Sequence, residues 1–213
     1  MSGSEFTATD TDLQDLQKRA FRYDAQDGLV EFLAGILFFF VARAAVDPHL
    51  AWVPALLVFP MRFTLRFFKR RFVYPRAGLV KLKGERGRDL GKGMLSYLAF
   101  VVLFAAAALW VFGDIGSWEL WMQWLPAILG GLCAGGFIYL AGRTGYPRHW
   151  FLVAVSVGWG LACSLMTLDH PYEGIQRWSL GLGLVCLLTG VIVFLNFLRT
   201  HPVRATEVSD GQV

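Results

Sequence analysis

The chain has 213 residues, 55% of them hydrophobic and only 17% charged, and its mean hydropathy is +0.49. Soluble domains run at about 45–50% apolar and about 25% charged, so an ordinary water-soluble fold is excluded. The net charge of +4 sits in cations crowded beside long apolar runs. That placement suits anionic lipid, and no nucleic-acid-binding motif accompanies it.

Residues 1–8 read as disordered. Thr9 to Asp27 read as a short amphipathic helix: Thr9 and Asp10 can cap it, and Asp12 and Asp15 suit its positive end. Leu13, Leu16, Ala20 and Tyr23 share one stripe. This helix lies either in the membrane interface or against the protein's own cytoplasmic loop. The first twenty residues hold no apolar h-region, so insertion is expected to begin with the first span.

A bilayer core about 30 Å thick needs roughly 20 apolar residues in a helix, at about 1.5 Å rise each. Six runs approach that length: 28–46, 50–68, 93–112, 120–141, 150–168 and 175–198. The fold class that follows is an all-α integral membrane protein. Six transmembrane helices are arranged as three hairpins, spans 1–2, 3–4 and 5–6, each closed by a short outer turn. The tail 200–213 reads as disordered. Span two is unusual. Its uncharged part, Leu50 to Met61, holds Pro54 and Pro60 and runs on into RFTLRFFKRR. A tilted or kinked helix with snorkelling arginines fits, and a re-entrant segment is the alternative.

The stretch from Arg62 to Lys92 carries eleven of the chain's 20 Lys and Arg. Within the loop 69–92, Phe72 to Tyr74 and Leu79 to Lys83 have strand-like composition. Pro75 and Gly78 are placed for a turn, so a small basic β-hairpin is expected. The segment RRFVYPRAGLVKLK resembles one found in bacterial multi-pass inner-membrane proteins that share a basic RF-x-YPR-x-G-x-V stretch in a cytoplasmic loop. The resemblance implies a prokaryotic inner-membrane setting and brings no activity, cofactor or catalytic residue with it. A second YPR, Tyr146-Pro147-Arg148, lies in the tight loop after span four and hints at duplication of a two-helix unit.

With six spans, 18 of the 20 cations fall on one side or close to it, the exceptions being Arg43 and Arg177. The positive-inside rule makes that side cytoplasmic, with both termini on it. Trp52, Trp110, Trp118, Trp121, Trp124 and Trp178 then mark the outer interface.

Three residues inside spans are candidates. Glu31 is an intramembrane carboxylate, costly unless it works or is paired. It could bind a proton or cation, or pair with a cytoplasmic arginine. Arg43 precedes Asp47 by four residues and can form an interfacial pair, or contact an anion at an outer cavity mouth. Asn196 can bond across helices or meet a ligand. Ser156, Ser164, Thr167 and Thr189 are weaker versions of the same case. Gly131 and Gly135 in span four, and Ser156, Gly160 and Ser164 in span five, have the spacing of close helix packing, intramolecular or between copies.

Candidates for docking lipid or a partner are Arg62, Arg66, Lys69, Arg70, Arg71, Arg76 and Arg148. GERGRDLGKG fails the phosphate-loop spacing, with three residues between Gly87 and Gly91 and no Ser or Thr after Lys92. The histidines are scattered, and Cys133, Cys163 and Cys186 lie inside apolar runs as small fillers. No metal or cofactor is expected, and no motif points to catalysis. The expected function is a non-enzymatic scaffold or accessory subunit whose basic cytoplasmic face docks on anionic lipid or a protein partner, with a homo-oligomer as a further option. A transporter or channel subunit using Glu31, and a membrane enzyme acting on lipid, are the alternatives.

Overall fold

The computed structural model describes residues 25–77, 95, 97, 99–103, 106–107, 118–166, 170 and 172–202. Of these, 91% are helical and none is in a strand. The expected helix over 9–27 lies almost wholly outside the described residues, and Ala25 to Asp27 form a turn.

Helix α1 spans Leu29–Val46. It starts after Gly28, whose φ of 70° suits glycine, and Asp27 Oδ1 accepts from the Leu29 N–H at 3.1 Å. Asp47 ends it in extended conformation. Its carboxylate then takes the His49 N–H at 3.1 Å, which shapes the 3₁₀ turn Pro48–Leu50.

Helix α2, Trp52–Phe68, does not stop at the expected loop. It passes through a π-helical stretch, Lys69–Val73, into the short α3, Tyr74–Ala77. The Tyr74 N–H bonds to Lys69 O, five residues back. This widened turn falls just ahead of Pro75, whose ring would collide with an ordinary i−4 carbonyl. The hairpin reading is therefore corrected at Phe72–Tyr74, which is helical; its other half, Leu79–Lys83, lies outside the described residues. Tertiary packing explains the outcome. Phe72 stacks on Phe68 at 5.8 Å and meets Phe194 edge-on at 6.2 Å, while Val73 is buried with Leu29 and Phe197. Those contacts reward a helical period rather than alternation.

Three long helices complete the described fold: α4 (Trp118–Thr144), α5 (Pro147–Leu165) and α6 (Glu173–Thr200). Among the described residues, α1, α4 and α6 are long and apolar enough to cross a membrane.

Helix pairing among the described residues is not confined to neighbours in the chain. The most extensive contacts join α1 with α6 and α4 with α5, whereas α1 with α2 and α5 with α6 touch over less. Small residues account for this. Small residues let helix backbones approach closely, which favours the pairs that carry them. A Cβ on Gly190 would stand 2.4 Å from Phe32 N, and one on Gly35 would stand 2.7 Å from Leu187 N. Between α4 and α5, a Cβ on Gly160 would stand 2.7 Å from Pro126 O. Nearby, Ser156 Oγ donates to Gly130 O at 2.8 Å. Ser164 Oγ accepts the Ala127 N–H at 3.1 Å, one residue past Pro126. The Ser156, Gly160, Ser164 stripe thus packs within the chain. It meets Gly130 rather than Gly131, and Gly135 packs on Phe100.

The main core joins Phe137, Leu152, Cys163, Trp178, Leu182 and Cys186. Trp178 is not an interfacial residue: it is 1% exposed, meets Phe38 edge-on at 5.6 Å and donates to Ser156 O at 3.4 Å. Trp52 and Trp118 are exposed, as an interfacial position requires.

Candidate functional site: a buried ion cluster and the cavity beside it

One end of the bundle gathers the start of α1, the end of α2, the α4–α5 turn and the end of α6. The turn is built by the sequence Thr144-Gly145-Tyr146-Pro147. Gly145 adopts φ 68° and its N–H closes α4 on Ala141 O at 2.8 Å. Tyr146 is extended, as a residue before proline tends to be, and Pro147 opens α5, where its missing N–H costs nothing. This places Arg148 and His149 in the first turn of α5, facing α1.

Glu31 stands in the first turn of α1, 3% exposed. Its Oε1 lies 2.9 Å from Arg148 Nε and 3.0 Å from His149 Nε2. The Arg148 N–H is not aligned with that oxygen, so the contact is an ion pair rather than a linear hydrogen bond. Arg148 Nη2 also donates to Ala25 O, and the guanidinium rests 4.6 Å from the Tyr146 ring centre. A cation in the first turn of a helix opposes the helix dipole; the Glu31 carboxylate and the Ala25 carbonyl offset that. With its ring proton on Nε2, His149 donates to Glu31, and its Nδ1 lies 2.8 Å from Thr144 Oγ1. One turn before Glu31, buried Asp27 lies 3.6 Å from Lys69 Nζ.

Hydroxyl, imidazole and carboxylate thus follow one another from Thr144 to His149 to Glu31, the order of a nucleophile relay. Thr144 is 0% exposed; its Oγ1 accepts the Tyr146 N–H at 3.3 Å, and Leu140 O, 2.8 Å away, competes with His149 Nδ1 for its single proton. No acyl group can reach it, so the chain of hydrogen bonds closes the α4–α5 turn.

The structure divides the sequence candidates. Glu31 is paired, with Arg148 rather than a residue of the first basic loop. Arg43 pairs with Asp47 at 3.5 Å on the surface, the sequence-local partner expected. Asn196 is exposed and makes no side-chain bond across helices among the described residues. Thr189 bonds back within its own helix, and Thr167 lies outside the described residues. Of the basic candidates, Lys69 and Arg148 are spent on buried carboxylates, and Arg76 donates to Phe72 O at 2.9 Å. Arg66, Arg70 and Arg71 are exposed. Arg62 lies on α2, its side chain outside the described set. Asp27, Thr144 and His149 escaped the sequence reading. No spacing rule could have found them, because Asp27 lies in the turn before α1 and Gly28 breaks the helical register between it and Glu31.

Beside the cluster a cavity of about 580 Å³ opens, within the usual range for a small-ligand site. Its described lining comes from Gln26, the Tyr146–Arg148 turn and the last two turns of α6, Asn196 and Arg199 included. Among the described residues no group of three His, Cys, Asp or Glu could hold a metal ion. No protein-family model, curated protein or solved structure matches the chain.

Proposed function

We propose that the chain is a non-enzymatic integral membrane protein of six spans with both termini cytoplasmic. Its basic inner face docks on anionic lipid or on a protein partner. The observation that carries this reading is the division among the cations at the cluster end. Lys69 and Arg148 hold the fold, while Arg66, Arg70 and Arg71 stand exposed along the end of α2 and the π-helical stretch. A transporter that works through Glu31 would need that carboxylate to face a water-filled path. Glu31 is buried and shared by Arg148 and His149, which favours a structural role.

Cations near an anionic surface contribute about 1 kcal/mol each, and salt screens them. Reversing Arg66, Arg70 and Arg71 to Glu in the purified full chain is therefore expected to abolish capture of phosphatidylglycerol vesicles. Glu31→Gln, assayed at a temperature where it stays folded, is expected to leave capture intact. Capture that is indifferent to both salt and charge reversal would overturn the docking reading. Accessibility tags at Tyr74 and Tyr146 are expected on the same membrane face; opposite faces would overturn the topology.

A further inference from the structure

We infer that the cavity beside the ion cluster seats the phosphate of an anionic phospholipid, whose acyl chains run along the outer face of α6. The inference rests on the reading of this end as the headgroup side, and it names the ligand.

Three observations lead to it. The first is a surplus of donors. No carboxylate belongs to the described lining, and the two behind it are already engaged, Glu31 by Arg148 and His149 and Asp27 by Lys69. Arg148 keeps Nη1 without a protein partner among the described residues, and Arg199 makes no ion pair among them. The Gln26 amide nitrogen is buried there with no acceptor among the described residues. A buried donor without a partner is costly, and a phosphate oxygen is the acceptor that chemistry supplies.

The second is preorganisation. Arg148 is fixed on three sides by Glu31, the Ala25 carbonyl and the Tyr146 ring, so no side-chain entropy is lost on meeting an anion.

The third separates a lipid from free phosphate. Two of the apolar residues at the cavity, Ile192 and Leu195, are exposed and continue a stripe through Leu188 and Leu184 at intervals of three and four residues. The polar seat therefore opens onto an unbroken greasy track, which suits an amphiphile and does nothing for a soluble ion.

The test uses the full chain, with Arg148 left intact because it holds the fold. Protein is exchanged into nanodiscs of phosphatidylcholine alone, of phosphatidylcholine with phosphatidylglycerol, and of phosphatidylcholine with added inorganic phosphate. Melting temperature and the phospholipid retained after detergent extraction are then measured. Phosphatidylglycerol is expected to be retained and to raise the melting temperature, and inorganic phosphate is expected to do nothing. Arg199→Glu is expected to weaken retention at least five-fold, about 1 kcal/mol per cation. Asn196→Leu gives a smaller loss, and Arg177→Glu, at the far end of α6, gives none. Equal retention by Arg199→Glu and the native chain, or equal stabilisation by inorganic phosphate, would overturn the lipid site. If vesicle capture still depends on Arg66, Arg70 and Arg71 while Arg199→Glu retains lipid normally, the cavity assignment falls and the docking reading stands. If neither substitution set changes lipid behaviour, both fall.

Discussion

The two ends of the bundle handle charge in opposite ways. At the far end, Arg43 pairs with Asp47 and Arg177 with Glu173, each four residues apart on one helix, at 3.5 and 3.0 Å. These side chains are largely exposed, and both pairs are local. At the cluster end, Glu31 meets partners more than a hundred residues away, and Glu31, His149, Asp27 and Lys69 are nearly out of solvent while Arg148 is mostly buried. Exposed pairs of the first kind are worth about 0–1 kcal/mol. Buried pairs of the second kind gain little over an apolar replacement, yet losing one partner costs about 3–5 kcal/mol. The cluster end is therefore the one that specifies which helices meet, and the far end tolerates change.

The sharpest way to break that contrast is Glu31→Leu. It strands Arg148 beside an apolar residue and is expected to cost about 3–5 kcal/mol, read as a fall in melting temperature in mild detergent. Adding Arg148→Met to the same chain is expected to recover much of the loss. A single substitution that melts like the native protein would show the cluster to be inert. Next in size, Gly190→Leu forces side-chain atoms onto the Phe32 backbone. It is expected to cost about 1–3 kcal/mol as overpacking, or more if α1 and α6 separate; an unchanged melting temperature would mean that the two helices do not approach as described. Ser156→Ala removes the bond to Gly130 O. Typical interhelical bonds in membranes are worth about 0.6 kcal/mol, so a shift of a degree or two is expected in the same assay. Smallest of all, Asp47→Asn is expected to change stability by less than about 1 kcal/mol, and a large loss there would erase the contrast between the ends.

What could be read from residues alone follows the same divide. The helical class, the apolar spans around α1, α4 and α6, and the TGYP turn rest on local composition and turn chemistry. So does the Arg43–Asp47 pair. The partner of Glu31 was not legible, because it required knowing that α5 begins beside the start of α1. The strand reading of Phe72–Tyr74 failed for a related reason. Its aromatic and β-branched composition looked like a strand, but Phe194 and Phe197 on a distant helix supplied a surface that rewards a helical period. Glycine spacing suggested close packing, yet only the folded backbone shows that Gly35 and Gly190 join α1 to α6, elements from opposite ends of the chain.

The separation of Glu31 from His149 by 118 residues also sets a schedule for biosynthesis. Translation adds about 5–20 residues per second, so α1 leaves the ribosome many seconds before Arg148 exists. In that interval the carboxylate in its first turn is without its cation. Under the topology proposed above, its place within a turn of the helix start keeps water and headgroups within reach, and so allows α1 to wait for its partner.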